Sequence, residues 1–314
     1  MPENLYKLGL IQLILGITLL LPIEGYSQFP PVIDLAQTSA DVTIFGAEES
    51  DHAGFRIAYG NINGDGFVDL LINSFNASPL GRQGVFEIDI LWGGAVFDST
   101  FDLHNPPSSI SRVFGAPGDD GFFSSLACGD FNNDGFSDII IGMPFYYLGG
   151  KAYLILGREV FPDTLDLEST TQGVITIYGI PYDEDGGFGR TSCCGNVNGD
   201  DYNDLIISTP YLSSSGGEVY VIYGRDSFPE TIYTGEYIAN ATRIIDPEYY
   251  QGNGIGLFSD DIDGDGCDDI LIGSPGGAIG YEAGKATLLY GSPVFPDTII
   301  LSDENLRMKR IYPE

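Results

Sequence analysis

Positive charge is what this 314-residue chain has least of: 13 lysines and arginines stand against 45 aspartates and glutamates, a formal net charge of -32. Such a surface repels phosphate backbones and anionic lipid, so nucleic acid is excluded as a partner and cations, neutral glycans and proteins remain. Histidine is almost as scarce, and His52 and His104 stand isolated in a turn and a linker, with no neighbour that would make either an acid–base catalyst. The four cysteines, Cys128, Cys193, Cys194 and Cys267, are too few for a disulfide framework in a chain of this length, and none forms a C-x-x-C pair that would hold zinc. A nucleophile elbow G-x-S-x-G, a zinc helix H-E-x-x-H and a Walker loop are all missing, so no catalytic residue is assigned and the chain is expected not to be an enzyme. The only long hydrophobic run, Leu8 to Leu21, follows Lys7 and precedes Pro22 and the small-residue stretch Gly25-Tyr26-Ser27. At 14 residues it falls short of the roughly 18 to 20 needed to span a bilayer, and residues 1–27 are expected to be a secretory signal peptide. Residues 28–314 are then a secreted or cell-surface domain without a transmembrane segment.

What the chain does have is a nine-residue stretch that occurs four times: NINGDGFVD from Asn61, DFNNDGFSD from Asp130, NVNGDDYND from Asn196 and DIDGDGCDD from Asp261. Oxygen side chains at positions 1, 3, 5 and 9 are the hard donors that Ca²⁺ prefers, and position 7 can add a backbone carbonyl. Glycine at position 6 (Gly66, Gly135, Gly266) suits a sharp turn, and Asp201 replaces it in the third copy. An EF-hand would need a bidentate glutamate at position 12, where this chain has Ile72, Ile141, Ile207 and Ile272. Each loop instead runs into DLLI, DIII, DLII or DILI, the apolar, β-branched signature of a buried strand.

A second pattern, FPPVIDL at Phe29, recurs as VFDSTFDL, VFPDTLDL, SFPETIYT and VFPDTIIL, with phenylalanines 29, 97, 161, 228 and 295 spaced 68, 64, 67 and 67 residues apart. Each module predicts about four short strands: one such as Val42–Phe45 or Val174–Tyr178, one into the loop, the buried strand after it, and a Gly-led strand such as GGKAYLILGR or GGEVYVIYGR. Units of this length whose strands cannot bury both faces alone fit the blades of a β-propeller. A sandwich would lack the repeat, and a calcium-binding β-helix would repeat about every nine residues. Lys151 and Lys285 read as solvated strand starts, and Asp119-Asp120 as solvated turn acids. Tyrosines in turns, Tyr146-Tyr147, Tyr211 and Tyr249-Tyr250, could stack on sugar or protein, though blade-edge packing accounts for them better.

These residues resemble the FG-GAP repeat of the integrin alpha-subunit β-propeller over nearly all of residues 28–314. That repeat pairs a Phe-Gly before the loop with a Gly-Ala-Pro after the buried strand. Here Phe188-Gly189 matches, while Phe122-Phe123, Ala53-Gly54 and Asn253-Gly254 depart from it; Gly142-Met143-Pro144, Ser208-Thr209-Pro210 and Gly273-Ser274-Pro275 follow the strands, and Asn73-Ser74-Phe75 departs. The resemblance implies an all-β propeller with four complete repeats, a partial terminal blade and about four Ca²⁺ ions. The ligands it implies are Asn61, Asn63, Asp65, Phe67 and Asp69; Asp130, Asn132, Asp134, Phe136 and Asp138; Asn196, Asn198, Asp200, Tyr202 and Asp204; and Asp261, Asp263, Asp265, Cys267 and Asp269. Phe67, Phe136, Tyr202 and Cys267 would act through backbone oxygen. Calcium there is expected to be structural, and the module to bind an extracellular protein or glycan. The alternatives are a propeller attached to an extracellular hydrolase or lyase, as in glycosylphosphatidylinositol phospholipase D, or a passive spacer. Because the first and last modules carry the same partial pattern, the chain is expected to be part of a larger ring. Carboxylate count and the position-6 turn, where Gly266 stands in the fourth loop and Asp201 would bear a steric cost at positive φ in the third, further predict Asp261–Asp269 as the tightest loop and Asn196–Asp204 as the weakest.

Overall fold

The structure, a computed structural model, describes residues 42–94, 99–106, 110–119, 125–145, 149–180, 187–210, 217–234, 240–246, 252–275, 284–303 and 307–311. The expected signal segment 1–27, the first copy of the phenylalanine pattern, Phe122-Phe123, Asp120 and the turn tyrosines 146, 147, 211, 249 and 250 lie outside the described residues. The described strands belong to the second of two compact units, Ile44–Glu314, apart from Thr43 at the start of the first strand. In chain order they are β1 (Thr43–Phe45), β2 (Ala53–Gly60), β3 (Asp69–Ser74), β4 (Glu87–Leu91), β5 (Thr100–Asp102), β6 (Ile110–Phe114) and β7 (Ser125–Gly129). Then come β8 (Asp138–Met143), β9 (Lys151–Ile155), β10 (Thr164–Asp166), β11 (Val174–Tyr178), β12 (Ser192–Gly195), β13 (Asp204–Thr209) and β14 (Glu218–Ile222). The last are β15 (Thr231–Tyr233), β16 (Ala241–Ile245), β17 (Gly256–Asp260), β18 (Asp269–Ser274), β19 (Lys285–Leu289), β20 (Thr298–Ile300) and β21 (Met308–Ile311). The one helical element among the described residues is a 3-10 turn, Pro79–Gly81.

These strands form propeller blades. Blade 1 is the antiparallel meander β2-β3-β4-β6, blade 2 is β7-β8-β9-β11, blade 3 is β12-β13-β14-β16 and blade 4 is β17-β18-β19-β21. The expectation of four strands per module is one short. The phenylalanine pattern makes a fifth strand that leaves its own blade and adds, in parallel, to the outer edge of the preceding one: β10 on β6, β15 on β11 and β20 on β16. β5 pairs with β1 in a two-stranded sheet, the partial blade, and the N–H of Leu103 just past β5 donates to the Phe45 carbonyl at 3.0 Å. Each module thus reaches back over its predecessor.

Alternation within the buried strands shows why they read as continuous apolar runs. Ile139, Ile141 and Met143 of β8 pack with Leu71, Ile88 and Ile90 of blade 1, whereas Ile140 between them packs with Leu205 and Ile207 of blade 3. Ile206, in turn, joins Ile270 and Ile272 of blade 4. A strand buried on both faces has no polar side to present, and each fully buried isoleucine contributes about 1.5–3 kcal/mol.

The Phe-Gly motif has a steric explanation. Phe188 is buried, Gly189 sits at φ 90°, and a Cβ on Gly142 of blade 2 would lie 2.0 Å from the Gly189 carbonyl oxygen. The glycine near the end of the buried strand β8 is therefore the seat for the Phe-Gly of the next blade. Asn253-Gly254 repeats the arrangement with different chemistry: Gly254 at φ 81° packs on Ser208, and the buried Asn253 amide accepts from Ser274 Oγ at 3.0 Å.

Candidate metal centre

Each loop lies between the first and second strands of its blade and is built around the position-9 aspartate. Asp69, Asp138, Asp204 and Asp269 are all fully buried. One carboxylate oxygen of each accepts the position-2 N–H, from Ile62 at 2.8 Å, Phe131 at 3.0 Å, Val197 at 3.0 Å and Ile262 at 3.2 Å. The other accepts the N–H of a glycine at the end of the third strand: Gly93, Gly157, Gly224 or Gly291. The carboxylate therefore fixes the loop to the strand beside it. Burial pushes the Asp138 and Asp204 carboxyls up to about 7 and Asp69 upward too, against the pull of those N–H donors. A divalent cation would supply the positive charge that keeps such a group ionised.

The position-5 aspartate shapes the turn. Its Oδ1 accepts the position-7 N–H, from Phe67 at 2.8 Å, Phe136 at 3.0 Å, Tyr202 at 2.8 Å and Cys267 at 3.1 Å. Its Oδ2 takes a hydrogen bond from the position-3 amide in the first three loops, Asn63, Asn132 and Asn198, at 3.0, 2.9 and 2.8 Å. The fourth loop has Asp263 at position 3, and the Arg307 guanidinium bonds both Asp263 and Asp265 instead, holding the Asp265 carboxyl below the usual range. In every loop a positive dipole or charge thus stands between positions 3 and 5.

Position 4 was not singled out by sequence reasoning, yet it is left-handed in all four loops: Gly64, Asn133, Gly199 and Gly264 have φ of 70°, 53°, 68° and 79°. The signal was available, since glycine and asparagine are the residues that tolerate this region. Position 6 is left-handed at Gly66, Gly135 and Gly266 but not at Asp201. The expected steric cost at Asp201 is therefore avoided by a different bend, in which the Asn196 amide donates to the Asp200 carbonyl.

At position 1 the loops divide. Asp130 accepts the N–H groups of Asp134 and Gly135, and Asp261 those of Gly264, Asp265 and Gly266. The side-chain carbonyl oxygens of Asn61 and Asn196 are shielded from solvent and accept no hydrogen bond. A buried acceptor left so is costly unless something else binds it, and a hard cation is the ligand an amide oxygen suits. Asp261, Asp263 and Asp265 bring one carboxylate oxygen each within 4.8 Å of one another. The donor set of all four loops fits a hard divalent cation.

Two expectations fail. Lys151 and Lys285 are buried, and each meets a buried carboxylate: Lys151 Nζ lies 2.6 Å from Asp119 and Lys285 Nζ 2.7 Å from Asp246. Asp119 is fully buried as well, bonded also by the Tyr153 hydroxyl at 2.9 Å. A strand start is not a surface position when the next blade covers it. His52 and His104 are exposed in turns, and the four cysteines are unbridged thiols.

The FG-GAP repeat family matches residues 122–155, 188–222 and 253–289. Integrin alpha pat-2 of Caenorhabditis elegans is 27% identical over 289 residues, covering 86% of this chain and 22% of that protein. Phosphatidylinositol-glycan-specific phospholipase D of Rattus norvegicus is 30% identical over 183 residues, 54% of this chain and 20% of that one. Integrin alpha-IIb of Mus musculus is 24% identical over 264 residues, 80% and 22%. The chain thus carries FG-GAP repeats and is similar over most of its length to integrin alpha subunits. It spans about a fifth of the length of the curated relatives it matches.

Proposed function

We propose that this protein is a secreted or cell-surface, calcium-stabilised propeller that binds an extracellular protein or glycan and carries out no chemistry of its own. The observation that carries the calcium reading is the pair of shielded, unbonded Asn61 and Asn196 oxygens in loops whose position-9 carboxylates are buried. Asn61, Asn63, Asp65 and Asp69, and the same positions of the other loops, would hold the ion through side-chain oxygens; Phe67, Phe136, Tyr202 and Cys267 would add backbone carbonyls. When bound, calcium supplies charge neutralisation and cross-links the first two strands of each blade. Similarity to integrin alpha subunits supports the adhesion reading, and similarity to the phospholipase D proteins supports a second one, in which the propeller accompanies an enzyme. No helix among the described residues is long and apolar enough to cross a membrane.

Titration calorimetry on chelator-treated protein tests the metal: about four Ca²⁺ per chain and a lower melting temperature after chelation are expected. A melting temperature indifferent to calcium would overturn it. Glycan arrays and matrix-protein binding in calcium test the partner, and hydrolysis of a glycosylphosphatidylinositol substrate by the purified chain would overturn the non-enzymatic reading.

A further inference from the structure

The four loops are joined to one another. The position-8 residue of each later loop donates its N–H to the position-1 carbonyl of the loop before: Ser137 to Asn61 at 2.8 Å, Asn203 to Asp130 at 3.1 Å, Asp268 to Asn196 at 2.8 Å. Its side chain accepts the position-1 N–H in return, through Ser137 Oγ at 3.1 Å, Asn203 Oδ1 at 3.0 Å and Asp268 Oδ2 at 2.7 Å. A third bond comes from three residues past the third strand, where Arg158, Arg225 and Ser292 donate to the position-2 carbonyls of Ile62, Phe131 and Val197 at 3.0, 2.9 and 3.0 Å. Three different residue types, Ser, Asn and Asp, meet the same requirement, an oxygen that can accept an N–H. The first loop has Val68 at position 8, which has no such oxygen. At the other end of the series, the Asp261 N–H turns to its neighbour Asp260.

We infer that Ser137, Asn203 and Asp268 are coupling residues through which occupancy of one loop raises the calcium affinity of the loop before it. The inference rests on the calcium reading above. Position 8 stands between two ligands of its own loop, the position-7 carbonyl and the position-9 carboxylate, so an ion there fixes it. Position 1 of the preceding loop is itself a ligand, and its backbone is held by that same position-8 residue at both its N–H and its carbonyl. Ordering one loop therefore removes part of the ordering cost of its neighbour, and the linkage is reciprocal.

The test uses the full chain with loops 1 and 4 disabled by Asp65→Ala and Asp265→Ala, so that loops 2 and 3 remain. Calorimetry compares calcium affinity of loop 2 with loop 3 intact and with loop 3 disabled by Asp200→Ala. Loss of loop 3 is expected to weaken loop 2 about 2- to 10-fold, what one net hydrogen bond is worth, and Asn203→Val in the intact pair should weaken it by a similar factor. Equal affinity of loop 2 in all these chains overturns the coupling while leaving four independent sites; absence of calcium binding in the unmodified chain overturns the calcium reading itself. Where the disabled chains fail to fold, hydrogen exchange decides. Calcium should protect the Asp130 N–H in the unmodified chain and less so in Asn203→Val, and equal protection in the two overturns the coupling.

Discussion

Blades 1 and 3 differ from blades 2 and 4 in chemistry while sharing one backbone plan. Loops 1 and 3 open with Asn61 and Asn196, loops 2 and 4 with Asp130 and Asp261. The third strands open with Glu87 and Glu218 in the odd blades and with Lys151 and Lys285 in the even ones. Each glutamate is answered inside its own blade by an arginine of the fourth strand: Arg112 lies 3.2 Å from Glu87 and 3.0 Å from Asp89, and Arg243 grips Glu218. Each lysine is answered from outside, by Asp119 or Asp246 in the segment that leaves the preceding blade. The repeating unit seen by electrostatics is thus two blades long. A buried charge has either stiffened one blade or fastened two together, and the backbone accepts both.

The widest separation should come from removing those charges. Lys151→Met leaves Asp119 buried without its cation and should cost about 3–5 kcal/mol in urea unfolding. Glu218→Gln frees an arginine that is already half-exposed and should cost about 1–2 kcal/mol. Equal losses would erase the distinction between the two kinds of blade. Next in size is conversion of an odd loop to an even one: Asn61→Asp adds a carboxylate and should raise calcium affinity of the first loop about tenfold. Calorimetry showing no gain would place the difference between loops elsewhere than in position 1.

Arg307 gives a smaller effect with a definite sign. It bonds two of the carboxylates that the fourth loop would offer to an ion, so Arg307→Gln should strengthen calcium binding there by a factor of about two at low salt. This contact also works against the expected ranking, in which carboxylate count and the Gly266 turn made the fourth loop tightest. An unchanged affinity would show that the guanidinium yields without competing.

Apart from the loops, blade 1 has a pH dependence of its own. Burial pushes Glu87 up to about 7 and Asp89 up to about 6, from ordinary values of 4.5 and 3.8, despite Arg112. The folded state then holds these protons more tightly than the unfolded chain, so their contribution to stability is present below about pH 4 and is lost as pH rises towards 7. Glu87→Gln should raise the melting temperature at pH 8 relative to the unmodified chain and leave it nearly unchanged at pH 4. A difference that is flat across that range would refute the assignment.

The loops, the modules and the buried strands could be read from the sequence because each is a local pattern: oxygens at fixed spacing, a recurring phenylalanine, a run of β-branched residues. The fifth strand could not, although its motif was plain. β10 is three residues long, its central Leu165 buried and Thr164 exposed, and nothing nearby says that it pairs with residues 112–114. Lys151 failed for a related reason. Its partner Asp119 lies 32 residues earlier in a connecting segment, and burial of a strand's first residue depends on which blade covers it. The reciprocal bonds of position 8 are likewise invisible until two loops are side by side, because Ser137, Asn203 and Asp268 share no side-chain type. Gly64, Asn133, Gly199 and Gly264 are different, since a left-handed position 4 was open to anyone who aligned the four loops.

The backward reach of the fifth strand imposes an order on the making of this protein. Blade 1 has its four meander strands once Phe114 has been synthesised, yet the strand that closes its edge begins at Thr164, 50 residues later. At about 5–20 residues per second the nascent blade waits roughly 3–10 s with its outermost ladder open. Open ladders recruit other strands, and on a polysome the nearest are identical blades on neighbouring ribosomes. The later repeat therefore supplies the strand that covers the edge of the one made before it, and a pause in synthesis between β6 and β10 would lengthen the interval in which that edge stands open.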